Sequence, residues 1–171
     1  RAVIEPGEIA GSCSSWNICD LQNINTTIFY RNFSEDGSFE SIEIGSMVLY
    51  KLNHQVDVFD ALDALAGDSS EVGEAMIMKK IKTRPYVLSW FEIKEQFRKQ
   101  GLGHLALHVG LQSSGCEGHP LFLMPSPNEN HAGFEFLTDF YMNSDMKTEM
   151  IEDTRIIFCP MYNNRNSVAR K

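Results

Sequence analysis

Residues 98–103, Arg98-Lys99-Gln100-Gly101-Leu102-Gly103, join two adjacent cations to two glycines one residue apart. That chemistry suits an anion: glycines let the backbone close around a phosphate, and Arg98 and Lys99 add charge. A strand-like run, Tyr86-Val87-Leu88-Ser89-Trp90-Phe91-Glu92-Ile93, comes before the stretch. A helix-like run, His104-Leu105-Ala106-Leu107-His108-Val109-Gly110-Leu111, comes after it. The first N–H groups of a helix have no intrahelical partner and carry the positive end of its dipole. A strand, a cationic glycine loop and a helix therefore make the layout of a phosphate site. The stretch is not a Walker loop, which needs Gly-x-x-x-x-Gly-Lys-Ser/Thr. It is not the dinucleotide fingerprint either, because no glycine falls three places after Gly103.

Other reactive groups are sparse. His104 and His108 have the i, i+4 spacing of a zinc-binding helix face, but Leu105 stands where a metalloprotease has glutamate, and no cysteine pair completes a set. No metal is expected. His104, next to the helix start, is expected beside the phosphates, and His108 to be packed or at the surface. Ser113-Ser114 is no nucleophile elbow, since Gly-x-Ser-x-Gly is absent from the chain.

The elements that position the loop follow from periodicity and turn chemistry. Residues 1–25 form a segment of unclear structure packed on the body, with turns at Pro6-Gly7 and Gly11-Ser12. Thr26 to Leu52 has β texture: a strand to Phe33, an Asp36-Gly37 turn, a strand from Phe39 to Ile44, a bulge or break at Gly45, and a strand from Met47. Helices are expected near 55–66 and 69–82, the second opened by the capping-box spacing of Asp68-Ser69-Ser70-Glu71. After the glycine loop come a helix to about Leu111, closed by Ser113-Ser114-Gly115, and a short buried strand at Leu121–Met124. A helix from Asn130 to Met142 and a β run from Thr154 to Cys159 follow. The chain predicts a single α+β domain over 26–162 with a polar tail at 163–171.

Bulk properties narrow the class. The 171 residues suffice for one domain with a sizeable core. Fifteen basic against 23 acidic side chains give a net charge of −8, which argues against nucleic acid; it is compatible with a cationic or amine substrate, but an acidic surface that keeps the protein soluble explains it more simply. No apolar run is long enough to span a membrane. Cys13, Cys19, Cys116 and Cys159 are scattered and read as the reduced thiols of a cytoplasmic protein, with a Cys13–Cys19 bridge left open.

The loop in its setting resembles the acyl-CoA pyrophosphate loop of the GCN5-related N-acetyltransferases (GNAT superfamily). There a hydrophobic strand runs into Arg/Gln-x-x-Gly-x-Gly/Ala and then a helix, often with Val or Ile five residues before the arginine, the place of Ile93 here. The resemblance covers roughly residues 26–160. It implies a mixed, mostly antiparallel central sheet flanked by helices. It also implies acetyl-CoA as co-substrate and direct acyl transfer to an amine in a ternary complex, with homodimers common. Arg98, Lys99, Gln100, Gly101, Leu102 and Gly103 would hold the pyrophosphate, and Phe91, Glu92 and Ile93 would lie on the strand that pairs with the pantetheine arm. Glu92 would accept the amine proton and Tyr141 would protonate the leaving sulfur. A solvated strand carboxylate is the other reading of Glu92, and a core aromatic that of Tyr141. The chain departs from the family twice. Its early helices fall just before the cofactor strand, and Tyr-x-x-x-Gly-Phe is not intact around Tyr141. A domain of this kind that only binds CoA or a protein is the alternative, and a toxin acting on charged tRNA is a third reading, disfavoured by the charge. Six carboxylates, Asp57, Asp60, Asp63, Asp68, Glu71 and Glu74, lie on the early helices, either at an amine acceptor's mouth or on a solvated face.

Overall fold

The computed structural model describes residues 8–18, 21–52, 72, 75, 76, 79–81, 84–123, 125 and 133–163. Strand β1 (Glu8–Ile18) turns back into β2 (Leu21–Phe33), which runs through an Asp36-Gly37 turn into β3 (Phe39–Leu52). At that turn Asp36 accepts from the Ser38 amide at 2.9 Å, and Gly37 takes φ +83. β4 (Tyr86–Ile93) leads through a short 3-10 turn (Glu95–Phe97) to helix α1 (Gly103–Ser113). β5 (Leu121–Leu123), helix α2 (Phe134–Met142), β6 (Glu149–Met150) and β7 (Ile157–Cys159) complete the described chain. The strands form one open seven-stranded sheet in the order β1-β2-β3-β4-β5-β7-β6. Every neighbouring pair is antiparallel except β4 and β5. The fold is therefore α+β, as the sequence predicts.

Alternation along the long strands sorts two faces. Ile24, Ile28, Met47 and Leu49 are buried on the face that carries α1, with Leu107 and Leu111 of that helix. Leu21, Leu52, Val87, Phe122 and Phe158 are buried on the other face with Val72, Ala75 and Met76. Helix α1 sits close on the sheet because two glycines permit it. A Cβ on Gly110 would stand 2.7 Å from Met47, and one on Gly11 would stand 2.3 Å from the Ser113 hydroxyl oxygen. Polar groups lock the same contact: Cys13 Sγ donates to the Ser113 carbonyl at 3.1 Å, and Thr26 Oγ1 lies 2.7 Å from Ser114 Oγ. The helix ends in a Schellman motif. Gly115 takes φ +79 and donates to Gln112, and Cys116 donates to Leu111.

Several expected elements shift. Before Thr26, where the sequence leaves the structure unclear, the described residues are strand, and Gly11-Ser12, expected at a turn, lies inside β1. Its glycine marks the approach of α1, not a turn. Phe39–Leu52 is one strand; the irregularity foreseen at Gly45 is a bulge that leaves Ile44 extra against Ile28 and Phe29. Gly45 is needed there, since a Cβ would meet the Glu92 carbonyl oxygen at 2.4 Å. Thr154 belongs to the turn before β7, held by its own side chain on Ile151 and Ile156. Val72, Ala75 and Met76 are helical. The rest of the two early helices, with their six carboxylates, lies outside the described residues, as do Pro6-Gly7, Cys19, residues 130–132 and the tail from 164.

Gly11→Ala should destabilise the protein by about 1–3 kcal/mol, because the added methyl overpacks the α1 contact. Urea unfolding checks this, and an unchanged midpoint would mean α1 tolerates displacement.

Candidate functional site

The site begins with an irregularity in β4. Between Val48↔Trp90 and Leu49↔Leu88, Ser89 is an extra residue against β3. Such a bulge raises the local twist and bends the strand. On the other side β4 pairs with β5 only over Tyr86–Leu88, opposite Leu121–Leu123. Among the described residues, Ser89–Ile93 has no strand partner on its β5 side. Pro125, shortly after β5, has no N–H to extend the ladder.

The two strands thus part, and a cleft of about 600 Å³ opens between them. That is within the usual range for small-molecule sites. Its β walls are Leu88–Ile93 and Leu123. Both faces of β4 contribute, since Phe91 and Ile93 pack on the α1 side and Trp90 and Glu92 alternate with them. Phe136, Leu137, Phe140 and Tyr141 of α2 form the facing wall. Phe91 and Phe140 stack across it with ring centroids 6.1 Å apart.

The glycine loop closes one end. Phe97, Arg98, Lys99, Gly101, Leu102 and Gly103 line the cleft there. Lys99 and Gly101 hold φ +59 and +74, and Leu102 is right-handed at φ −86, ψ −16. A left-handed residue followed by a right-handed one turns successive N–H groups toward a common point, the concavity that binds anions. The start of α1 adds its unpaired amides and dipole at the same place. Gly103 serves a different need, because a Cβ there would stand 2.8 Å from the Phe140 ring. Thus Gly101 sets the loop's path, while Gly103 lets α2 close on it.

Arg98 is anchored to β4. Its Nε donates to the Ile93 carbonyl at 2.7 Å, and a terminal nitrogen meets Glu92 Oε1 at 3.1 Å. Glu92, expected as a proton acceptor, is therefore already an ion-pair partner. Tyr141 is 8% exposed yet lines the cleft, and burial pushes its hydroxyl pKa up to about 12. It stays a neutral donor at any physiological pH.

Phe91, Glu92, Ile93, Arg98, Lys99, Gly101, Leu102, Gly103 and Tyr141 meet on this one cleft. Gln100 and His104 do not line it. Gln100 donates to the Gln96 carbonyl at 3.3 Å. His104 lies with its Nε2 2.8 Å from the Phe140 carbonyl oxygen and its ring against that residue, so it braces α1 against α2. His108 is buried between the Tyr162 hydroxyl, 2.9 Å from Nδ1, and the Ser144 carbonyl. The two histidines therefore share a helix but no site. Sequence reasoning missed Leu88, Ser89, Trp90, Phe97 and Leu123, and Phe136, Leu137 and Phe140 of α2. One signal was present: a lone serine inside an apolar strand can mark a bulge.

No family model, curated protein or solved structure matches the chain.

The raised tyrosines bear on alkaline stability. Tyr86 and Tyr141 are both pushed up to about 12 by burial, against about 10 in an unfolded chain. The folded state then holds more protons than the unfolded one between those values. Stability is full below about pH 10 and falls as pH rises through about 12. Unfolding by circular dichroism should track tyrosinate absorbance in that window. The slope should fall by about one proton in Tyr141→Phe, and an equal slope would place Tyr141's hydroxyl in water.

Proposed function

We propose that the chain is an acyl-CoA-dependent N-acyltransferase, in the first instance an N-acetyltransferase, of the GNAT type. One observation carries the reading: the Gly101–Leu102 anion concavity and the α1 N-terminus stand at one end of a cleft formed where β4 leaves its parallel partner. A diphosphate with a long amide-bearing arm fits that arrangement. The sheet supports it further, with one parallel step between β4 and β5, the loop and α1 between those strands, and α2 beyond β5. The incomplete tyrosine motif is a departure from the family.

Acyl-CoA supplies an acyl group as a thioester; the amine nitrogen bonds to its carbonyl carbon, the C–S bond breaks, and the amine proton balances the released thiol. The chain's residues divide the remaining work. Backbone amides at Gly101, Leu102 and Gly103, which line that end of the cleft, serve the phosphates. Arg98, tied to Ile93 and Glu92, fixes the loop to the strand and adds charge nearby. The β5-facing backbone of Ser89–Ile93 offers ladder groups to the arm's amides, as an exposed sheet edge does to a peptide. Phe91, Leu137 and Phe140 exclude water from the arm.

Tyr141 faces the point where the strands part. Full proton transfer from a phenol near 12 to a thiolate near 8.5 is uphill by about 5 kcal/mol. Its role is therefore to stabilise the departing sulfur by a hydrogen bond, with the proton reaching sulfur through water. Glu92, the expected acceptor of the amine proton, pairs with Arg98 at the phosphate end of the cleft, beyond Leu88 where the strands part, so its reach to the amine runs through a chain of waters. That same pairing favours the second reading, a CoA-binding or protein-interaction module without turnover, because the carboxylate needed as base already has a partner.

Calorimetric titration with acetyl-CoA and CoA tests the donor site. Binding should be micromolar and should be lost in Gly101→Glu, which adds strain at φ +74 and a negative charge at the phosphates. Equal affinity in a folded variant would remove the loop from the site. Tyr141→Phe should keep acetyl-CoA affinity and lower kcat about tenfold or more, as loss of one charge-stabilising donor does. Full turnover would leave Tyr141 a core aromatic.

A further inference from the structure

The two i, i+4 histidines of α1 reach the same neighbouring helix. α2 is nine residues long and has no side-chain cap at its start. A helix so short is marginal by itself in water, so its contacts decide where its side chains point. Its last turn carries no basic residue of its own to meet the carbonyls left unpaired there. α1 supplies that need. His104 donates from Nε2 to the Phe140 carbonyl at 2.8 Å, and His108 donates from Nε2 to the Ser144 carbonyl. A carbonyl oxygen only accepts, so each Nε2 carries a proton. Imidazole N–H groups placed there also meet the negative end of the α2 dipole.

Tyr141 stands between the two held carbonyls. Buried Ser144 returns to it twice: its amide donates to the Tyr141 carbonyl at 3.3 Å, and its hydroxyl donates to the same oxygen. His108 is braced in turn, since its Nδ1 lies 2.9 Å from the buried Tyr162 hydroxyl and the two rings stack. Apolar packing alone would let α2 rotate, whereas satisfied buried hydrogen bonds specify one arrangement. That matters for a tyrosine that lines the cleft with 8% of its surface exposed. A small rotation of α2 would sink its hydroxyl in the core or open it to solvent.

We propose that His104 and His108 are positioning residues, acting through Phe140 and Ser144, that hold the Tyr141 hydroxyl toward the cleft and away from bulk water; their effect on rate rests on the acyltransferase reading above. The test uses His104→Leu, His108→Leu and His108→Gln, each with and without Tyr141→Phe. Half-buried His104 keeps the test open where His108→Leu does not fold. Acetyl-CoA affinity by calorimetry should be unchanged. Each leucine variant should lower kcat about fivefold to tenfold, no more than Tyr141→Phe does. In the Tyr141→Phe background the same substitutions should cost nothing further, because they act through one hydroxyl. His108→Gln, which keeps an N–H where Nε2 stands, should recover most of the rate.

A second readout needs no turnover. A solvated tyrosine titrates at about 10 and buried Tyr141 at about 12. Each leucine variant should therefore show one more tyrosinate than the parent chain by absorbance at about pH 11, and adding Tyr141→Phe should remove it. Equal rate losses in both backgrounds, or no tyrosinate that depends on Tyr141, overturn the assignment. Failure to bind acetyl-CoA overturns the donor reading instead, and the tyrosinate readout then decides by itself whether the histidines hold Tyr141.

Discussion

A parallel strand pair holds only while both backbones present their ladder groups at matching spacing. β4 and β5 meet that condition for three residues, Tyr86–Leu88 against Leu121–Leu123. Then Ser89 bulges on the β3 side and β5 gives way to Pro125. Everything specific about the site depends on that lost ladder. Among the described residues it leaves Ser89–Ile93 without a strand partner on that side, and the cleft opens there. The helix that follows β4 then has its N-terminus at the opening.

Close packing keeps the opening in place. α1 is pinned to β1, β2 and β3 through Gly11 and Gly110 and through short polar contacts from Cys13 and Thr26. α2 is pinned to α1 through Gly103, Phe140 and His104. The buried His108–Tyr162 pair joins α1 to the chain beyond β7. Each wall of the cleft is thereby fixed to the sheet or to its neighbour, so an entering ligand meets a formed site and little ordering cost.

The division of electrostatic labour also follows from the geometry. The guanidinium of Arg98 is held by a strand carbonyl and a carboxylate. The loop's backbone amides, by contrast, are set by the chain's path at Gly101 and Leu102 and need no side-chain ordering. The same tether couples the glycine loop to Glu92 on β4 through one ion pair.

Much of this was legible in the residues. Alternation and the Asp36-Gly37 turn determine the β2–β3 hairpin, and local chemistry determines the strand, loop and helix around Gly101 and Gly103, because short-range backbone preferences act within a few residues. The strand in the first 25 residues was not legible, since small polar residues such as Ser12, Ser14 and Ser15 carry no hydrophobic period and pair only because β2 lies alongside. Nor were the placement of Phe140 and Leu137 across from β4, the turning of His104 away from the loop, or the pairing of Glu92 with Arg98. Each joins residues distant in sequence or depends on a bulge that shifts which side chains face together. Composition and spacing determined that a cationic glycine loop stands between a strand and a helix; only the tertiary structure decided that β4 parts from β5 beside it, because strand partnership is a property of two chain segments and neither encodes it alone.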